Sequence, residues 1–228
     1  MKDSSEQIGI CEAIRSRKSC RAYLDQDVSL DTIHQILDAA RWAPSGVNHQ
    51  PGQIAVLGKE TKSKLAKILV EKHSTSTRPN PDYAYCPKDW PEVYKNRRKE
   101  CGFALYNSLS IPLDDLQGRK KHWENNYHFF HAPIGLIVFI EKNLPIGSWI
   151  DAGMFIQNIL LAAQEFGLAS CPQAAFAEYP DVIREVLNLN NVDIICGIAI
   201  GYEDSSHPLT SYRIGRESVF LFGFDPRQ

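Results

Sequence analysis

The chain has 228 residues, and its 25 Lys and Arg against 27 Asp and Glu leave a net charge of −2, so nothing in it forms an electrostatic footprint for nucleic acid. With 43% hydrophobic residues and only 14 Gly and 13 Pro, collagenous and disordered classes are excluded. The length suits a single domain with room for a sizeable insertion. The opening residues carry acids and no apolar core, so no signal peptide is expected, and the longest near-apolar run, residues 132–140, is too short to span a membrane. Cysteines at 11, 20, 86, 101, 171 and 196 form no C-x-x-C pair and no metal-ligand grouping with the histidines, which predicts free thiols, no metal and a reducing, cytoplasmic setting.

In chain order, Ser4 and Gln7 fit a capping box and Ile10 and Ile14 follow four apart, predicting a first helix to about Arg17. A second helix starts from Ser29 as N-cap, with Leu30, Ile33, Ile36, Leu37 and Ala40 on one face, and stops before Pro44. Residues 43–52 read as a structured polar loop, 54–57 as a short strand, and 62–72 as a helix with Leu65, Ile68 and Leu69 inward. From His73 to Pro91, prolines alternate with Tyr83, Tyr85 and Trp90, an ordered loop whose aromatics should leave water. Residues 93–110 look helical, with the basic run from Lys95 to Lys99 on a solvated face and Ala104, Leu105 and Leu109 packed; 111–127 are polar and unassigned.

Residues 134–140 form the strongest predicted strand. Ser148, with Asp151 three residues on, should cap a long helix to Phe166 that is apolar nearly all round, with Gly167 as its stop. A helix without a polar face must be covered on every side, and a second subunit is one source of that cover. A short helix from Pro180, a strand over 193–200 and an apolar tail over 219–224 complete the chain. The elements do not alternate as βαβ units, so the expected class is α+β with a mostly antiparallel sheet. No G-x-G-x-x-G follows a strand, so any nicotinamide coenzyme is held without a Rossmann domain.

Two segments carry chemistry. Arg17, Lys18, Ser19 and Arg21 place three cations and a hydroxyl at a helix C-terminus, a set that suits a phosphate or simply complements the helix dipole. Between Pro44 and Pro51 the chain offers Ser45, Asn48, His49 and Gln50 side chains and a flexible Gly46, suited either to a flat polar ring or to a turn before an edge strand. Other polar groups read as ordinary: Cys171 as a buried small hydrophobe, and His122, His128 and His131 as surface or packed rather than zinc ligands.

Together these segments resemble the FMN-dependent nitroreductase family, of the oxygen-insensitive NAD(P)H type, whose R-[RH]-S-x-[RK] and P-S-x-x-N-x-Q-P motifs stand at about this separation. Gly167 to Ala174 and Gly197 to Tyr202, with Arg213 and Arg216 downstream, match two further motifs in order, so the resemblance spans nearly the whole chain. It implies an intertwined homodimer of one domain per chain, with a lid or insertion at about 73–127 and a tail at about 217–228 reaching the partner. It implies FMN as cofactor, NADH or NADPH as donor, and nitroaromatics, quinones or similar flat acceptors reduced by a ping-pong mechanism. Arg17, Ser19 and Arg216 match phosphate-holding positions, with Arg213 a weaker match. Arg21 matches the cation at the flavin N1 and O2 edge, and Lys18 a contact to the pyrimidine. Pro44, Ser45 and Asn48 match a loop that reaches the other subunit's flavin. Asn126 matches the amide facing the pyrimidine, Asn125 being nearly as well spaced. Pro172, Gln173, Ala174 and Ala175 match the segment whose backbone N–H at Ala174 faces flavin N5; no catalytic side chain is implied.

The chain departs from the family pattern at Gly52, where many relatives have an aromatic, and at Ala174 and Ala175, where others carry Glu-Gly or Gly-Gly. Two rival functions share parts of this reading. One keeps fold and flavin but changes the reaction to reductive dehalogenation, enal reduction or flavin fragmentation; the other is a non-enzymatic FMN-binding protein.

Overall fold

The computed structural model describes residues 9–217. Among them, four strands form one antiparallel sheet: β1 (Gln53–Leu57), β2 (Ile134–Glu141), β3 (Ala169–Gln173) and β4 (Val192–Gly201), in the order β1-β2-β4-β3. Seven helices surround it: α1 (Ile10–Ser16), α2 (Leu30–Ala40), α3 (Lys59–Ser74), α4 (Glu92–Ser108), α5 (Leu116–Glu124), α6 (Ile146–Glu165) and α7 (Pro180–Leu187). The α+β class and antiparallel sheet agree with the sequence reading.

The central strands are apolar on both faces because both are covered. Leu136 and Val138 point to one core with Ile33, Ile36 and Ala40 of α2 and Ile159, Leu160 and Ala163 of α6. Ile137 and Phe139 point to the other, with Leu65 and Leu69 of α3 and Ile183 of α7. The pairing of β2 with β4 slips between Val138 and Phe139, where Cys196 and Ile194 face successive residues and Ile195 is the extra one. That bulge puts Ile194 and Cys196, two apart in sequence, into opposite cores.

Several expectations are corrected. The capping box of Ser4 and Gln7 and the tail over 219–224 lie outside the described residues. The first helix begins at Ile10 behind Gly9 and ends at Ser16, with Ile10 and Ile14 exposed rather than packed. Ser29 does cap α2, its Oγ accepting from Thr32 N at 3.0 Å, but Leu30 is exposed. The long helix starts at Ile146, two residues before Ser148, because Pro145 takes the N-cap and the Ser148 hydroxyl is engaged elsewhere. By length and composition α6 could cross a membrane, contrary to the reading that put the longest apolar run at 132–140; here it packs on α2 and the sheet. Gly167 stops it with φ +66°, the left-handed conformation glycine takes without strain.

The segment after α3 is ordered only in part as expected. Tyr83 donates to Ile195 O at 2.7 Å and packs on Trp149, and Asp82 accepts from Arg184 and from Ile194 N. Tyr85, by contrast, is 71% exposed. Helix α4 buries no residue, so Ala104, Leu105 and Leu109 are only half-covered, and the unassigned stretch before Asn125 contains α5, capped by Asp115 on Gly118 N.

Candidate active site

The segment after α1 runs alongside β3. Ser19 bridges Ser170 in parallel, and Cys20 N donates to Ser170 O at 3.0 Å. This edge pairing turns Arg17, Ser19 and Arg21 toward a cavity of about 600 Å³ whose far wall is the segment carrying Tyr212, Arg213 and Arg216. Residues about 195 apart in sequence therefore meet, and among the described residues no Asp or Glu lines this cavity.

The cations there are not equivalent. Burial, and after it the charge of Arg216 with Arg213 behind, holds the Arg17 guanidinium below its ordinary range. Lys18 turns to Glu203 at 2.9 Å and to Thr210 O, so its charge is neutralised within the fold. Arg213 donates to Ser16 O and Arg216 to Ile214 O and Gly215 O, and neither has an acidic partner among the described residues. Arg21 donates to Ser19 O at 3.2 Å and lies 5.9 Å from the Tyr212 ring centre. Such a set of forks without a counter-ion is what an anion of two charges completes.

One hydrogen bond joins the Gly167 to Ala174 motif to Asn126. The Gln173 side chain, 2% exposed, donates from Nε2 to Asn126 O at 2.7 Å, and its buried Oε1 has no partner among the described residues. A buried carbonyl in that state calls for a donor. Asn126 itself donates to Trp123 O at 2.8 Å. Pro172 is half-buried on β3, and Ala174 and Ala175 open the short turn Ala174–Glu178. Cys171 is wholly buried and burial pushes its thiol up, which keeps it protonated and inert.

Pro44, Ser45 and Asn48 stand apart from this cavity on one chain. Pro44 and Ser45 line a second cavity of about 150 Å³ with Asp151 and Phe155, sharing no residue with the first, and Asn48 lies exposed at the loop tip. The loop is held in a costly shape, with Val47 at φ 45°, Asn48 at 59° and Gln50 at 48°. Asp151 on α6 accepts from Gly46 N at 3.1 Å, and Ser45 Oγ accepts from Gln50 N at 3.0 Å. His49 Nδ1 is 2.7 Å from Gly46 O and must donate to it, so a neutral ring accepts from the Ser148 hydroxyl at Nε2, 3.0 Å away. Gly52 is explained by Phe155, whose Cδ1 would be 2.5 Å from a Cβ at that position; α6 supplies the aromatic ring that the loop lacks.

Sequence reasoning missed Asp151 and His49 as the loop's supports and Gln157 on the cavity wall. A polar residue inside the apolar run of α6 was the available signal for Gln157. It also missed Tyr212, whose Oη donates to Cys101 O at 3.0 Å and so ties α4 to the cavity's far wall.

The Nitroreductase family model matches residues 14–202. The chain belongs to this family. This nitroreductase-family chain is 39% identical over 210 residues to a 4-nitrobenzoate reductase of Nocardioides sp. (strain LMS-CY), covering 90% of the chain and 85% of that relative. It is 34% identical over 215 residues to a nitrobenzene nitroreductase of Ectopseudomonas oleovorans, covering 93% and 95%. Among solved structures it resembles the FMN and NADPH-dependent nitroreductase NfnB of Sphigopyxis sp. strain HMH, with a TM-score of 0.89, 32% identity and coverage of 95% and 100%.

Proposed function

We propose that this chain is an FMN-dependent oxidoreductase that uses NAD(P)H to reduce nitroaromatic compounds, a carboxylated nitroarene such as 4-nitrobenzoate among them. The observation that carries the reading is the arginine cavity without an acid. Arg17, Arg213 and Arg216, with the Ser19 hydroxyl, would hold the FMN phosphate, and the uncompensated guanidiniums fit a dianion. FMN bound there would pass two electrons from the nicotinamide to the acceptor. Arg21 would hold a positive charge at the pyrimidine edge, and Lys18, already paired with Glu203, would orient that edge without adding net charge. Asn126, its backbone held by Gln173, would face the pyrimidine, and the turn opened by Ala174 and Ala175 would offer a backbone N–H to flavin N5.

The functional unit in this reading is a homodimer in which Pro44, Ser45 and Asn48 serve the partner's flavin, since they lie away from the cavity of their own chain. The chain would form one domain with α4 and α5, within residues 73–127, as the lid; the tail at about 217–228, expected to reach the partner, lies outside the described residues from 218 on. Six unpaired thiols fit a cytoplasmic setting. Neither nucleic acid nor membrane is a partner in this reading.

The purified protein is expected to be yellow, to bleach with NADPH under argon and to recover its colour on stoichiometric addition of 4-nitrobenzoate. A colourless protein that takes up no FMN would refute the reading. Flavin that bleaches but is not reoxidised by a nitroarene would leave a flavoprotein of another reaction. Because one flavin face serves donor and acceptor in turn, parallel double-reciprocal lines are expected.

A further inference from the structure

The basic run from Lys95 to Lys99 finds no explanation in packing, because α4 buries none of its residues. Two of its residues, Arg97 and Arg98, line a third cavity, of about 730 Å³, between α4 and the segment 214–217. This cavity shares Cys101, Ile214, Gly215 and Arg216 with the first, so the two are neighbours across one wall. Both lie over aromatic rings that also line it: the Arg98 guanidinium is 5.3 Å from the Trp90 ring centre and that of Arg97 5.6 Å from Tyr94.

An arginine over a ring keeps its charge and its N–H donors while the ring attracts the cation, a combination suited to a phosphate. Among the described residues two acids line this cavity, Glu100 and Glu217; Glu217 is 3.5 Å from Arg97 and 66% exposed, and an exposed pair of that kind yields easily to a stronger anion. Tyr94, 55% exposed, leaves aromatic surface for a base to stack on. The chain has no dinucleotide fingerprint, so a nicotinamide coenzyme reaching the flavin must anchor its far end on surface beside the flavin cavity.

We propose that Arg97 and Arg98, with the Trp90 and Tyr94 rings, bind the 2′-phosphorylated adenosine end of NADPH and make this chain discriminate NADPH from NADH. The inference rests on the flavin reading above and deepens it. A phosphate fork lost from NADH is worth a factor of about ten or more in affinity.

Calorimetry on the FMN-loaded protein, with 2′,5′-ADP and 5′-AMP as probes, is expected to give at least about a tenfold preference for 2′,5′-ADP. In the double variant Arg97→Ala/Arg98→Ala that preference should vanish, and the ratio of kcat/KM for NADPH to that for NADH should fall by a similar factor. The variant Arg97→Lys/Arg98→Lys, which keeps charge and loses the forks, should fall between. Equal binding of the two probes by the wild-type protein would overturn the proposal, as would a double variant that retains its flavin spectrum and its full preference. A change confined to KM for 4-nitrobenzoate would likewise overturn it, assigning the arginines to the acceptor. Flavin that bleaches equally with either coenzyme sinks only this inference, whereas protein that binds no FMN sinks the underlying reading.

Discussion

Arg17 is half-buried with Arg216 and Arg213 as neighbours, and that crowding sets two effects of opposite sign. Truncating it removes repulsion from the flavin-free protein but takes a charged donor from the phosphate, worth about 1.5 to 3 kcal/mol. Arg17→Ala is expected to weaken FMN binding by about tenfold to a hundredfold while the flavin-free protein melts no lower than wild type. Fluorescence titration and scanning calorimetry read the two quantities, and a lower melting point with unchanged FMN affinity would contradict both. His122 makes a pH prediction. Burial first, then Arg21 and His207, lower it from 6.5 to about 4, so the fold holds it neutral while the unfolded chain protonates. Stability from this group is complete above pH 6.5 and is lost as pH falls toward 4. His122→Phe should flatten that limb in urea melts, and an unaltered slope would remove His122 as its cause. The arginines were legible from sequence because a guanidinium declares its chemistry wherever it sits. Asp151 and Gln157 were not, because an acid and an amide on a helix acquire a role only through the loop or cavity their face meets.

The elements that hold the site depend on two aromatic rings lying on glycines. Phe129 and Phe176 stack with centres 4.4 Å apart, and a Cβ on Gly197 would fall 2.3 Å from Phe176 while one on Gly135 would fall 3.0 Å from Phe129. Phe176 belongs to the turn that Ala174 opens, and Phe129 follows Asn126 in a turn where Phe129, Phe130 and His131 all take positive φ. Three consecutive left-handed residues cost about 1 to 2 kcal/mol each, and the buried rings with the Gln173 bond to Asn126 O hold them in place. Gly197→Ala is expected to destabilise by about 1 to 3 kcal/mol through overpacking and to lower FMN affinity as well. Adding Phe176→Leu should recover part of the stability, a coupling that denaturant titration of the double-mutant cycle measures. Strict additivity would exclude this packing as the cause. Ser29 and Gly167 marked helix ends correctly because caps are local. Ser148 misled because its hydroxyl serves His49, and the left-handed turn was illegible because no glycine announces it.

On the scale of the whole molecule, Ile159 is fully buried inside one chain, between α2 and the sheet, whereas Ile146 is 76% and Ile150 63% exposed on the same helix. The apolar circumference of α6 was visible in its sequence, but which side faces its own core depends on how the helix is rotated against the sheet. Ile150→Asp is therefore expected to weaken the proposed dimer while leaving the protomer's melting cooperative, and Ile159→Asp to unfold the chain. Sedimentation at decreasing concentration should show Ile150→Asp shedding FMN as it dissociates, since ligand and association are linked. A monomer that keeps its flavin would refute the shared site. The separation of the arginine cavity from the 44–50 loop also has a genetic consequence. If the proposed dimer shares its sites, Arg17→Ala would impair one half of every site and Asp151→Ala, by freeing Gly46, the other half. In a mixed dimer both lesions fall in the same site and the second site is intact. Two impaired alleles expressed in one cell, at FMN levels too low to fill either impaired site, should therefore complement, with random pairing restoring about a quarter of the sites.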